Sequence, residues 1–176
     1  MMNEYAEWVR QSPLLSAAIQ FAILGTLGEI LSVCVQKKKA ALPCGYLQLL
    51  LKALGWALLG VIIKYGFAGM KGFTHALLDH GLLPSFFREG LGWAIGLSTL
   101  TNLLFGPQMM FFHRLEDNLI MGERGFKGLQ RAWWTLIWFW IPAHTLTFVL
   151  PAEYQIGLAA LWSVVLGLIM GLSRKR

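Results

Sequence analysis

The sequence predicts an all-α integral membrane protein, a bundle of about five transmembrane helices with one short interfacial helix. Its 176 residues are 56% hydrophobic and 14% charged, whereas soluble domains carry about 25% charged residues. Long apolar runs recur along the chain, and at about 1.5 Å per helical residue each can cross a hydrocarbon core of about 30 Å. The 8 Trp and 11 Phe residues fit the aromatic belts of membrane interfaces.

Five apolar runs are the predicted spans, and they form one transmembrane domain over residues 1–176. The first follows Ser12 and Pro13, an N-cap residue and a proline suited to the first helical position. Residues 71–90 mix apolar with charged side chains, which predicts a short interfacial helix, and the charged residues 113–131 predict a loop. The predicted spans are residues 14–35, 46–70, 91–112, 132–150 and 155–172.

The basic residues predict how the chain is oriented in the membrane. With five spans, the Lys and Arg residues of 36–45, 113–131 and 174–176 share one side, and fewer lie on the other. The positive-inside rule then places the N-terminus outside and the C-terminus in the cytoplasm. A bacterial cell membrane or an organelle inner membrane is the expected location. This distribution accounts for the net charge of +6 without a nucleic-acid partner.

Glu29 is the most informative polar residue of the first predicted span, because a charge at membrane depth costs about 2.5–3.5 kcal/mol unless it is paired or faces water. Lys52 lies as far beyond the short intervening loop as Glu29 lies before it. An antiparallel helix pair would put both at one depth, which predicts an intramembrane ion pair. Two interpretations remain: the pair serves packing alone, or Glu29 lines a polar cavity that binds or gates a solute.

Polar residues and prolines in the third and fourth spans predict a polar bundle interior. Pro107 and Pro142 each free a backbone carbonyl, which is tolerated only against other helices, polar side chains or water. Asn102 lies shortly before Pro107 in sequence, and His144 lies shortly after Pro142. Both a water-filled path and an ordinary polar bundle would explain these polar residues. Lys64 of the second span either extends to the outer interface or lines a pore.

Small residues at four-residue spacing predict close helix contacts, because they let helix backbones approach each other in a membrane. These contacts lie either inside the bundle or at an interface with a second copy or with partner membrane helices. The residues are Gly28 and Ser32 in the first span, Gly92 and Gly96 in the third, and Ser163, Gly167 and Gly171 in the fifth.

The chain carries no convincing catalytic, cofactor or metal motif, so we do not expect an enzyme. His75, Asp79 and His80 are predicted on the polar face of a short helix, and no third ligand follows His113 and Glu116 at a convincing spacing. Two cysteines ten residues apart match no metal pattern and are expected to be reduced.

Five short segments carry a family resemblance. The first segment contains Gly28, Glu29, Ile30 and Gln36, which correspond to a Gly-Asp pair, an Ile and a Gln in the family motif. The other four segments are residues 72–84, 101–107, 141–148 and 150–155. In this order they resemble a family of small membrane proteins that includes a mitochondrial inner-membrane protein linked to glomerulosclerosis and a peroxisomal membrane protein. Several motif residues are replaced, as an Asp-Gln pair is at Thr101 and Asn102, so the chain looks like a distant member.

The resemblance implies a helical bundle that forms a pore or regulates small-solute passage. The function predicted here is therefore a channel-like or small-solute-transfer protein that uses the polar interior near Glu29, Lys52, Asn102 and His144. The alternative is a non-catalytic assembly or scaffold subunit that binds partner helices. The expected partners are the lipid bilayer, a small solute or ion, and a second copy or partner membrane helices.

Overall fold

The computed structural model describes residues 2–126 and 128–173, and these two ranges are almost entirely helical and contain no β-strand. A short 3₁₀ helix, Ser85–Arg88, precedes α4. One π turn, Thr101–Phe105, joins α4 to α5, and another, Leu136–Trp140, joins α6 to α7. The α-helices are α1 (Met2–Gln11), α2 (Pro13–Lys37), α3 (Tyr46–Asp79), α4 (Gly90–Leu100), α5 (Gly106–Met121), α6 (Leu129–Thr135), α7 (Ile141–Val149) and α8 (Ala152–Ser173).

Three described helices, α2, α3 and α8, are long and apolar enough to cross a membrane. The other two predicted spans, residues 91–112 and 132–150, fall on α4–α5 and α6–α7. A π turn interrupts each of these helix pairs, so no single α-helical piece in them reaches the length of a membrane span. The described chain is therefore an all-helical bundle with three helices that could span a bilayer.

The separate interfacial helix predicted over residues 71–90 is wrong. Instead α3 continues without a break to Asp79, and only the 3₁₀ helix follows before α4. Thr74 and Leu78 are buried, so this last part of α3 packs against the bundle like the rest of the helix. The helix ends just before Gly81, which takes a positive φ of 68°, a conformation that glycine adopts without strain.

The loop predicted over residues 113–131 is also mostly helical, because α5 runs on to Met121 and α6 begins at Leu129. The positive φ of Gly122, 66°, ends α5. At the other end of the chain, residues 2–11 form α1, which the sequence pattern did not predict. Ala6 and Val9 are 3% and 2% exposed and anchor α1 to the bundle.

The predicted small-residue contacts lie inside the chain. In the contact between α2 and α8, a Cβ added to Gly167 would meet the Gly28 carbonyl oxygen at 2.5 Å, and one added to Gly171 would meet that of Ser32 at 2.9 Å. Gly28 also lies against the backbone of Ser163. Because Gly28 faces Gly167 and Ser32 faces Gly171, α2 and α8 run parallel.

Gly92 and Gly96 of α4 make a second close contact, with the 3₁₀ helix. A Cβ on Gly92 would meet the Phe86 carbonyl oxygen, and one on Gly96 would come within 2.9 Å of the Phe87 ring. All seven predicted small residues therefore contact other parts of the same chain. The main buried core joins α2, α3, α4, α7 and α8 through Ala17, Phe21, Phe67, Ala94, Leu97, Phe148, Ile156, Ala159 and Ala160.

Candidate functional site

An ion cluster of Glu29, Lys52 and Asp117 joins α2, α3 and α5. The Lys52 Nζ lies 2.8 Å from Glu29 Oε2 and makes a second ion pair with Asp117 Oδ1. The Lys52 side chain is 8% exposed, against 21% for Glu29 and 25% for Asp117. The predicted ion pair of Glu29 and Lys52 is thus present. Asp117, which lies in a segment that the sequence pattern predicted to be a loop, is a third member.

The cluster forms because α2 and α3 run antiparallel from the short connection between them, so residues equally far from it face each other. Trp56, one turn beyond Lys52, donates its Nε1–H to the second carboxylate oxygen, Glu29 Oε1, at 2.7 Å. Gly25 makes room for the indole, since a Cβ there would lie 2.2 Å from the Trp56 ring. Both oxygens of Glu29 are therefore held.

A second group of polar residues extends the ion cluster along α5. The His113 ring lies 4.5 Å from the Trp56 ring, centroid to centroid, and its Nδ1 is 3.5 Å from Glu116 Oε2. The Glu116 carboxylate lies directly against Gly55 of α3, where any side chain would collide with it. Glu116 and His113 thus lie beside the ion cluster on α5, next to α3.

The two cysteines lie near the connection between α2 and α3, and both are free thiols. Cys34 donates to the Ala41 carbonyl oxygen at 3.4 Å. Cys44, in the connection between α2 and α3, has its pKa raised by burial, and the charges of the ion cluster also act on it. Its thiol is therefore protonated at neutral pH.

An interior cavity lies between α3 and the two π turns. It leaves about 90 Å³ for the centres of water-sized molecules, where one water needs about 10–15 Å³. The Asn102 side-chain amide lies 3.1 Å from His144 Nδ1 and donates to the Ser98 carbonyl oxygen at 2.8 Å. The residues that line it include Trp56, Thr101, Asn102, Phe105, Met109, Met110, His113, Leu136, Trp140 and His144.

Each π turn comes just before a proline. The Gly106 N–H bonds back to the Thr101 carbonyl and the Ile141 N–H to the Leu136 carbonyl, a spacing of five residues instead of four. The next residue in each case, Pro107 or Pro142, has no N–H to continue the regular helix, so the turn widens. The prolines were the sequence signal, but they did not specify the kind of irregularity.

A second, wider cavity, called here the basin, opens beside the ion cluster. It leaves about 510 Å³ for the centres of water-sized molecules. Lys52 and Asp117 line the basin, whereas Trp56 and His113 line the interior cavity. Because Trp56 bonds to Glu29, which pairs with Lys52, the ion cluster separates the two cavities. The other basin residues are Pro43, Arg114, Met121, Glu123, Gly128, Gln130 and Arg131.

Some predicted site residues lie elsewhere. Lys64 is partly buried on α3 but lines neither cavity, so the structure does not bring it to Asn102 and His144. His75 stacks on Trp93 with ring centroids 4.3 Å apart, and Asp79 pairs with an arginine at 3.2 Å. Within residues 2–126 and 128–173, no group of three His, Cys, Asp or Glu side chains is arranged to hold a metal.

No protein-family model, curated protein or solved structure matches the chain. The family resemblance of the sequence segments therefore stays a prediction.

Proposed function

We propose that the chain is an integral membrane protein with five membrane-crossing segments and that small solutes pass through the interior of its bundle. The observation that supports this best is the placement of the ion cluster between two cavities, one lined mainly by apolar side chains and the other by charged ones. A path closed by a few movable side chains would have this form. The π turns explain why two of the five crossings are not single α-helices.

The helix directions support the five-crossing arrangement. The helices α2 and α8 run parallel to each other and α2 runs antiparallel to α3, as the first, second and fifth of five crossings must. The basin, with Arg114 and Arg131 in its wall, lies at the same end as the basic connection after α2. We place this end in the cytoplasm of a bacterial cell, or inside an organelle inner membrane, and the N-terminus outside.

The ion cluster acts as the closed gate of this path. Lys52 binds carboxylates from two other helices, so it holds α2, α3 and α5 together at the boundary of the two cavities. Neutralising Glu29 leaves Lys52 with a single carboxylate partner and replaces the charged acceptor of the Trp56 indole with at most an uncharged one. The boundary then opens more often, because fewer interactions must break at once.

Solute flux into liposomes tests this function. Purified protein is reconstituted and the uptake of glycerol and of potassium chloride is followed by light scattering after an osmotic step. We expect Glu29→Gln to raise uptake several-fold over the unaltered chain. Glu7→Gln, which changes an exposed carboxylate on α1, is the matched control and should leave uptake unchanged. Vesicles that stay equally sealed with every variant would refute the proposed path.

The alternative of an assembly subunit has less support. The small residues that would bind partner helices contact other parts of the chain itself in the described structure. Sealed vesicles together with a stoichiometric co-purifying membrane protein would favour this alternative. A reporter enzyme that is active only outside the cytoplasm, fused to the C-terminus, tests the orientation, and an active fusion would overturn it.

A further inference from the structure

We propose that Met109, Met110 and His113 of α5 bind a soft monovalent metal ion, Cu(I), at the wall of the interior cavity. All three residues line that cavity. Two thioether sulfurs and one imidazole nitrogen are donors that suit Cu(I). Methionine sulfur is not one of the His, Cys, Asp and Glu donors that hold harder metals, so the lack of a group of those donors within residues 2–126 and 128–173 does not bear on this site.

The spacing of the three residues places them on one side of α5. Met109 precedes His113 by four residues and Met110 precedes it by three, and residues at these spacings are neighbours on a helix surface. At about 100° per residue, all three fall within about 100° of the helix circumference, with His113 between the two methionines. Metal sites on helices use the same spacings, in His-x-x-x-His and Glu-x-x-His pairs. Three rotatable bonds let each Met side chain adapt to an ion held by the imidazole.

Glu116 and Trp56 prepare the His113 ring for such an ion. His113 Nδ1 lies 3.5 Å from Glu116 Oε2, which favours a proton on Nδ1 and leaves the Nε2 lone pair for a metal. Histidines that bind metals almost always donate their other N–H to a carboxylate, a carbonyl or water in this way. The Trp56 ring lies 4.5 Å from the His113 ring, so an ion on the imidazole also lies near an indole, whose π face attracts cations.

The surroundings favour a soft monovalent cation over other ions. The ion cluster has one lysine and two carboxylates, and Glu116 adds another carboxylate beside His113, which disfavours an anion. None of the described residues that line the interior cavity is an Asp or a Glu, so the cavity lacks the carboxylates that Ca²⁺ and Mg²⁺ prefer. A single charge also costs less to bury among neutral donors than a double charge.

Ag(I) binding tests the site, because Ag(I) has the ligand preferences of Cu(I) and is not oxidised in air. The free thiols of Cys34 and Cys44 also bind soft metals. Titration calorimetry therefore uses the chain with Cys34→Ser and Cys44→Ser, in lipid nanodiscs and chloride-free buffer, with silver nitrate as the probe. We expect one Ag(I) per chain that an excess of Zn²⁺ does not displace. The Cu(I) form, loaded under ascorbate, should show sulfur and nitrogen neighbours in X-ray absorption.

Variants then locate the ion. Met109→Leu, Met110→Leu and His113→Phe should each weaken Ag(I) binding by at least roughly tenfold, since loss of even an outer partner of a metal ligand costs about 10–100-fold. Leu keeps the volume and apolar character of Met, so the fold should tolerate the change. Met121→Leu, on the same helix but outside the interior cavity, is the matched control and should bind Ag(I) as the thiol-free chain does.

Several outcomes would overturn the inference: no saturable Ag(I) binding by the thiol-free chain, displacement of Ag(I) by Zn²⁺, or the same affinity in the Met109, Met110 and Met121 variants. The comparison of the two metals uses no cavity variant, so it holds even if one of the variants does not fold. The site goes beyond the proposed path and is judged separately. Ag(I) binding without solute flux refutes the path alone, whereas solute flux without Ag(I) binding refutes the site alone.

Discussion

The two polar regions inside the bundle differ in how completely their polar groups are paired. In the ion cluster, on the uninterrupted helices α2 and α3 and on α5, both oxygens of Glu29 and the Lys52 ammonium have partners. In the interior cavity, beside the two π turns, Thr101 Oγ1 and Trp140 Nε1 have none among the described residues. The first region therefore holds α2, α3 and α5 together, whereas the second leaves buried donors unpaired.

Lys52→Met should break the ion cluster and have the largest effect. It leaves Glu29 and Asp117 facing each other without a cation, and loss of one partner of a buried ion pair costs about 3–5 kcal/mol. Thermal unfolding in detergent, followed by circular dichroism, should show a large fall in the melting temperature. Lys64→Met, on the same helix but outside both cavities, is the control and should change it little. Equal melting temperatures would show that the cluster does not stabilise the fold.

Exchanging the charges of Glu29 and Lys52 sharpens this prediction. A simple pair would recover its stability in the exchanged double variant. Here the exchange places a glutamate beside Asp117, so we expect only partial recovery until Asp117 is also changed to Asn. Full recovery in the double variant would mean that Asp117 contributes nothing to the cluster.

Gly25→Ala should damage the boundary between the two regions. The added methyl group collides with the Trp56 ring at 2.2 Å, and such overpacking costs about 1–3 kcal/mol. The displaced indole would lose its bond to Glu29, so liposome uptake should also rise. Gly69→Ala is the matched control, because nothing lies within 4 Å of that position; its melting temperature should stay the same or increase slightly. Identical behaviour of the two variants would contradict the close packing.

Thr101→Val tests the interior cavity, and its effect on stability should be smaller than that of Lys52→Met and of opposite sign. Replacing a buried hydroxyl that has no partner with a methyl group of the same shape should be neutral or stabilise the ligand-free protein by up to about 1 kcal/mol. Thr147→Val should instead destabilise it, because Thr147 donates to the Ala143 carbonyl and accepts from Trp162 Nε1 at 3.1 Å. Urea or thermal unfolding of both variants decides this, and a destabilised Thr101→Val would show that its hydroxyl has a partner.

The two regions also differ in how far the sequence predicts them. Equal spacing about a tight connection located Glu29 and Lys52, since antiparallel helices keep that register. Asp117 escaped prediction because mixed charges resemble a loop, and its helix is stabilised by partners that are distant in sequence. Pro107 and Pro142 predicted irregular helices. That the two π turns lie next to each other depends on tertiary packing, which the sequence pattern does not show. Lys64, like Lys52, is a lysine within the second predicted span, but no carboxylate of the first span lies equally far from the connection. In the structure it lines neither cavity.

Cys44 gives the smallest and most local measure of the ion cluster. Burial is the main cause that raises the pKa of its thiol, Lys52 lowers that pKa, and Glu29 and Asp117 raise it. In a chain with Cys34→Ser, Lys52→Met should therefore raise the pKa further and slow maleimide labelling at neutral pH, because only the thiolate reacts. Labelling rates measured from pH 7 to 9 should shift toward higher pH. His144→Phe, which alters the interior cavity, should leave them unchanged; a similar shift with both variants would mean that the thiol responds to loosened packing and not to the charge of Lys52.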